Sequence, residues 1–319
     1  MPRVVLKSDE KCFRSVLPKA TIIKGEHDCY SIIDVMAQGG FGIVYAATAL
    51  DSGRSVVVKE LMPEDVGRRF DCEDAVEINE ATMGKYARAI RDFYQEAQVL
   101  RLLATKGVPV SQLLDFAEQG GTAYQVLKPL EGDTIEQLVA RRGKLPCSEA
   151  CDLIAKVAEI IKRLHNLGVY HLDLAPDNII VTPDGPVVID FASAFVDGVK
   201  KVNAVCCSDG FAAEEVYFRI IAPAPRADVY SLGATLLYML SAVEPPRADC
   251  ISDKVVARLL PAEVSPSVRA AVMGAMQRKS KHRLPSAEAF ANVLAGGDAD
   301  AYCDRGWWHG VLSKCCFKY

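Results

Sequence analysis

His171-Leu172-Asp173-Leu174-Ala175-Pro176-Asp177-Asn178 lies between a helical stretch and the apolar run Ile179-Ile180-Val181. Twelve residues after Asn178, Asp190 ends a second apolar run, Val187-Val188-Ile189-Asp190-Phe191. Pro176 forbids a helix through the first stretch, so it reads as a polar loop between apolar elements. Such a loop suits a general base set beside an oxygen ligand for a divalent cation. A carboxylate closing a strongly apolar strand is costly unless a cation or donor meets it. The two segments together predict one chemical site.

Upstream, Gly39-Gly40-Phe41-Gly42-Ile43-Val44-Tyr45 reads as strand–turn–strand. Glycines there let backbone N–H groups approach phosphates, although alone the pattern fits an ordinary glycine-rich hairpin equally well. Lys59 ends Val56-Val57-Val58-Lys59, where half-burial calls for an anion; read singly, it is equally a solvated edge lysine. Glu96, on the following helix, is its candidate partner or else a solvated helical charge.

Short strand-like runs dominate before residue 130: Tyr30 to Val35, Ile43 to Leu50, Ser55 to Leu61, Val108 to Phe116 and Thr122 to Leu127. One helix interrupts them over Ala87 to Leu103, with Ile90, Phe93, Ala97, Leu100 and Leu103 on one face and Arg88, Arg91, Glu96 and Arg101 on others. After residue 130 the periodicity turns helical, over Cys147 to Leu167, Asp228 to Val243, Ser252 to Leu260, Ser265 to Gln277 and Ser286 to Leu294. The last three open on serines able to cap free N–H groups. Asp228 to Val243 is apolar nearly all round and should be a buried central helix. The fold class expected is α+β, a small strand-rich lobe followed by a larger helical one.

The 319 residues are 50% hydrophobic and 24% charged, which argues against general disorder. A net charge of −4 gives no footprint for nucleic acid. The longest apolar run, Ser231 to Val243, is too short to span a bilayer, and the N-terminal residues hold no signal-peptide core. Eleven cysteines without a C-x-x-C pair read as thiols rather than a disulfide framework or zinc ribbon. The expected location is the cytoplasm.

In their order and spacing, these motifs resemble the protein kinase signature set, from about Ile22 to Leu294. The closer resemblance is to bacterial Ser/Thr kinases of the eukaryotic-like type. It is carried by Leu17-Pro18-Lys19-Ala20-Thr21, Lys59-Glu60-Leu61-Met62-Pro63, Phe93-Tyr94-Gln95-Glu96-Ala97 and Gly121-Thr122-Ala123-Tyr124. The resemblance implies a two-lobed fold: an N-terminal arm over 1–21, a kinase domain over 22–296 and a tail over 297–319. Within the domain it implies an N-lobe over 22–127, a hinge over 128–132 that meets the nucleotide, and a C-lobe over 133–296. It implies ATP-dependent transfer of the γ-phosphate to Ser/Thr hydroxyls of proteins, with Mg²⁺ or Mn²⁺. Gly39, Gly40 and Gly42, with Ala37 at the first glycine position, would cover the nucleotide. Lys59 and Glu96 would clamp its phosphates, Val44, Val57 and Ile180 would sandwich adenine, and Leu127, Lys128 and Leu130 would be gatekeeper and hinge. Asp173 would be the base, Asn178 and Asp190 the metal ligands, and Ser208 the hydroxyl that contacts Asp173. His171, Phe191, Asp228 and the pair Glu215–Arg283 would be structural.

Four positions depart from the family pattern. Ala37 replaces a glycine of the loop. Leu172 replaces the arginine that reads an activation-loop phosphate, so phosphorylation there is not the expected switch. Ala192 replaces the glycine of D-F-G and restricts the backbone. Ala175 replaces a lysine that stabilises the transferring phosphate, worth about 10²–10³ in rate by analogy with oxyanion-hole donors. Ala175 and Ala192 motivate the alternative of an ATP-binding pseudokinase that acts as a switch or scaffold. In the tail, Trp307, Trp308, Val311, Leu312 and Phe317, with Arg305, Lys314 and Lys318, suggest an apolar segment docked on the helical lobe, or else a membrane-surface or partner contact, while Cys303, His309, Cys315 and Cys316 are potential zinc ligands whose spacing matches no familiar finger. Vicinal Cys206-Cys207 falls in the expected activation segment.

Overall fold

The computed structural model describes residues 16–64, 66–69, 75–78, 80–198, 207–218 and 225–302. Cys206 and the tail residues from Cys303 onward lie outside the described residues. The chain divides into two compact units, one running to Lys106 and including Ser111–Leu130, the other comprising Gly107–Val110 and the residues from Glu131.

The first unit is built on an antiparallel sheet. Its strands are β1 (Ile22–Lys24), β2 (Cys29–Gln38), β3 (Gly42–Ala49), β4 (Ser55–Leu61), β7 (Leu113–Gln119) and β8 (Thr122–Leu127), in the order β1-β2-β3-β4-β8-β7. Between β4 and helix α1 (Met83–Thr105) comes a small pair, β5 (Gly67–Arg68) with β6 (Glu77–Ile78). Strand β3 alternates, with Ile43, Tyr45, Ala47 and Ala49 buried, as a period of two requires for a sheet with one face in the core. The register sets Lys59 opposite Gln125 and Glu60 opposite Tyr124, so neighbouring residues of β4 point to opposite faces. Helix α1 packs against the Lys59 face through Phe93, whose ring meets Phe116 at 5.9 Å. The other face is closed by Leu17 and by the β4–α1 connection, through Arg69, Val76 and Ile78.

The second unit begins with β9 (Asp133–Thr134), α2 (Ile135–Arg142) and α3 (Cys147–Asn166). Then come β10 (Val169–Tyr170), β11 (Ile179–Thr182), β12 (Gly185–Val188) and β13 (Phe195–Val196). Helices α4 (Glu214–Phe218), α5 (Pro225–Ser241), α6 (Asp253–Leu259), α7 (Pro266–Ala275) and α8 (Ala287–Leu294) complete it. Helix α5 is buried from Ala227 to Ser241 and packs on α3, α7 and α8. Gly233 allows the closest approach, since a Cβ there would lie 2.5 Å from Cβ of Ala275.

Three element starts differ from the sequence expectation. Helix α1 starts at Met83 rather than Ala87, because Tyr86 is buried and its hydroxyl donates to the Gly121 carbonyl at 2.6 Å. Strand β7 starts at Leu113. Val110, expected in that strand, instead makes a parallel bridge to Val188 in the second unit. Helix α5 starts at Pro225, which supplies the φ a first turn needs. Ser265 and Ser286 cap α7 and α8, but Ser252 makes no capping bond. Among the described residues, no helix is long and apolar enough to cross a membrane.

Candidate active site

The expected site residues of the first unit lie on one sheet face. Val44 pairs with Lys59 and Val57 with Leu127, and these four point to the side that α1 covers in part. Lys59 Nζ donates to Glu96 Oε1 at 2.9 Å, with side chains 14% and 2% exposed. Glu96 is therefore no solvated helical charge: its position on α1 turns it into the sheet between Phe93 and Leu100. Ala37 extends β2 opposite Val44 and needs no glycine conformation. Gly39 and Gly40 are open at the turn, where a Cβ would meet nothing within 4 Å. Gly42 differs, because a Cβ there would strike the Glu60 carbonyl, so its glycine serves the approach of β3 to β4. Lys128 N donates to the Gln112 carbonyl at 2.9 Å, and Leu130 closes the unit half-buried.

Several expected site residues of the second unit hang on Asp228. From α5 its carboxylate accepts from His171 N at 2.9 Å and Leu172 N at 2.8 Å, and it meets His165 Nε2 at 2.8 Å. Burial pushes this carboxyl up, but His165, His171 and the loop amides outweigh burial and hold it below the ordinary value. The anchored backbone takes Leu172 to φ 65°, a left-handed conformation unusual for leucine, with its side chain buried. His171 Nε2 lies 3.0 Å from the Ile189 carbonyl, and its ring meets Phe191 edge-on at 4.8 Å. Asp190, next to Ile189, also has a positive φ, 58°. Ala192 does not, and its N–H donates to Asp190 Oδ1 at 3.2 Å, so alanine fits that position without strain. Ile180 sits in β11 opposite Val187 and Thr134.

Asp173 Oδ1 accepts from the amide and hydroxyl of Ser208 at 2.8 and 2.9 Å. The Tyr217 hydroxyl braces Ser208 in turn, donating to its carbonyl at 2.9 Å and accepting from Gly210 N at 3.1 Å. Asn178 Nδ2 donates to the Asp173 carbonyl at 2.9 Å, so Oδ1 is the amide atom that could ligate a cation. Burial pushes the Asp173 carboxyl up to about 6 against the Ser208 bonds, and the Asp190 charge adds to the rise. Desolvation and then Asp190 also raise Asp177. Carboxylates that repel one another beside an amide oxygen are a donor set a divalent oxygen-seeking cation would neutralise, so these residues fit such an ion. Farther off, Glu215 Oε1 accepts from the buried Arg283 Nη1 at 2.6 Å, tying α4 to the segment before α8.

The Protein kinase domain family matches residues 30–291. The chain belongs to this family. The kinase domain is 27% identical over 301 residues to Serine/threonine-protein kinase C of Synechocystis sp., covering 90% of this chain and 53% of that protein. It is 27% identical over 281 residues to Serine/threonine-protein kinase PknA of Mycobacterium tuberculosis, covering 83% and 60%. The chain spans about half the length of the first of these relatives. Among solved structures, "PpkA-294 apo form" superposes with TM-score 0.72 at 26% identity, covering 88% of this chain and 99% of that one. The Mycobacterium tuberculosis PknI kinase domain (C20A mutant) does so with TM-score 0.64 at 17% identity, covering 88% and 98%. The two compact units are the strand-rich and helical lobes of the protein kinase fold.

Three groups escaped the sequence reading. Gln125 donates to Glu96, and its signal was a lone amide within Ala123-Tyr124-Gln125-Val126-Leu127. Glu60 forms a buried ion pair with Arg69, a polar contact across nine residues with no periodic signature. Tyr217 follows the Glu214-Glu215 pair and offered no local cue.

Proposed function

We propose that this kinase domain transfers the γ-phosphate of ATP to Ser or Thr hydroxyls of a protein acceptor. The observation that carries the reading is the Asp173–Ser208–Asn178 cluster, in which a carboxyl of raised pKa is held by a serine hydroxyl beside an asparagine amide, a set suited to a base and a metal ligand. Lys59, fixed by Glu96, binds the nucleotide phosphates; Gly39 and Gly40 cover them; Val44, Val57, Ile180, Leu127, Lys128 and Leu130 receive the adenine side. Asp173 orients the acceptor hydroxyl and takes its proton. Asn178 and Asp190 would hold the divalent ion, Mg²⁺ or Mn²⁺, which neutralises phosphate charge when bound. His171, Phe191, Asp228, Glu215 and Arg283 support these groups. The functional unit is proposed as 22–296, with 128–132 as its hinge. The proposed setting is the cytoplasm, which agrees with the thiols at Cys29, Cys147, Cys151 and Cys250.

The test is label transfer from γ-labelled ATP with Mg²⁺ to the protein itself or a generic protein acceptor. Transfer is expected in the wild type and at least about a hundredfold lower in Lys59→Met. Equal transfer by the variant overturns the reading.

A further inference from the structure

A kinase clamp works only while Glu96 stays turned toward Lys59, and Glu96 rides on α1. Leu172, buried at φ 65°, cannot read a phosphate in the second unit. The means of holding α1 must therefore be sought beside Glu96 itself. Gln125 stands there. It is fully buried in β8, directly opposite Lys59 in the strand register. Its Nε2 donates to Glu96 Oε2 at 3.1 Å and to the Phe93 carbonyl of α1 at 3.1 Å. The opposite amide orientation would set an oxygen against a carboxylate and a carbonyl, so the acceptors dictate which end faces the helix. Its Oε1 is buried and has no hydrogen-bond partner among the described residues. A strand interior bounded by Tyr124 and Val126 would be better served by an apolar side chain. The amide is retained at a cost to stability, and its two bonds both go to α1.

We propose that Gln125 is a positioning residue that pins α1 to the sheet with Glu96 facing Lys59, making the clamp a built-in state rather than a phosphorylation-dependent one. The pin acts on the Glu96 carboxylate and on the helix backbone together, so it resists both rotation of the side chain and displacement of the helix. The proposal rests on the kinase reading for its effect on transfer, but not for its effect on α1.

The test replaces Gln125 with Met, of similar volume but without donors. Binding of a non-hydrolysable ATP analogue with Mg²⁺, amide hydrogen exchange of α1 and Tm are read on the same preparations. Expected are a roughly tenfold weaker analogue affinity, faster exchange at the amides around Phe93 to Glu96, and an unchanged or higher Tm. Gln125→Glu, which sets a carboxylate against Glu96, should weaken binding further. Label transfer by Gln125→Met should show a raised KM for ATP with a smaller change in kcat. Unaltered affinity and exchange in Gln125→Met overturn the proposal. So does a loss of affinity that only parallels a fall in Tm, which would mark a plain packing role. Should the wild type transfer no phosphate, the kinase reading fails, while analogue affinity and exchange still decide the role of Gln125.

Discussion

Lys59 and Glu60 are adjacent on β4, each meets an opposite charge, and the two pairs stand on opposite sheet faces. On one face, Lys59 keeps 14% of its side chain exposed and shares Glu96 with Gln125. On the other, Glu60 and Arg69 are 0% exposed. Both Glu60 oxygens face the Arg69 guanidinium, and the hydroxyls of Tyr45 and Tyr124 donate to them at 2.8 and 2.9 Å. Burial, with the Glu60 charge adding to it, raises both tyrosines and keeps these hydroxyls protonated. Exposure separates the two pairs: a carboxylate satisfied wholly from within holds the fold, whereas an ammonium whose side chain reaches the surface can meet a ligand.

The largest expected contrast comes from Lys59→Met against Arg69→Met. The first should abolish measurable transfer and also lower Tm, since Glu96, 2% exposed, loses its cation. The second leaves a buried carboxylate without its cation, which should cost about 3–5 kcal/mol of stability. Its kcat should stay near wild type at temperatures well below its own Tm. Denaturant melts and label transfer on both variants check this; equal loss of activity in both would erase the distinction between the faces.

A smaller effect is expected from pH. Catalysis needs Asp173 ionised, so kcat/KM should fall about tenfold per unit below pH 6. A profile flat to pH 5 would contradict the environment drawn for Asp173. In stability, Asp173 and Asp115 act with opposite signs. The folded state raises Asp173, so its contribution is fullest below pH 3.8 and declines as pH climbs toward 6. Asp115, in the first lobe, behaves the other way. Burial raises it, but the His27 amide and ring, Tyr30 and the Phe116 amide bring it down to about 2. Its contribution is present above 3.8 and is lost as pH falls toward 2. Asp115→Asn should therefore lower Tm at pH 7 and leave it almost unchanged near pH 2.

The smallest effect expected is from Tyr217→Phe, which keeps the ring over which Arg247 lies at 5.5 Å and removes only the bonds to Ser208 and Gly210. Transfer should fall a few-fold, about what one neutral hydrogen bond supplies. A loss as large as that of Lys59→Met would move Tyr217 from brace to reactant contact.

Much of this was legible from residue order. Asp173, Asn178 and Asp190 stand out because polar groups interrupt apolar runs, and Lys59 because it ends one. Glu96 was legible as a candidate partner, but its burial was not, since its helical position alone fits either face. Glu60–Arg69 and Gln125 stayed hidden for a physical reason: Gln125 is satisfied by helix α1 and Glu60 by the β4–α1 connection, contacts set by packing over the whole sheet rather than by neighbouring residues. Gly42 looked like part of the phosphate loop, yet its lack of a Cβ serves the approach of Glu60.

The most direct measurement is γ-phosphate transfer from labelled ATP by wild type and Asp190→Asn side by side, with the labelled amino acid identified. The account predicts label on Ser or Thr in the wild type and none above background in the variant. Label that persists undiminished in Asp190→Asn, or a wild type that binds ATP and never transfers it, would contradict it.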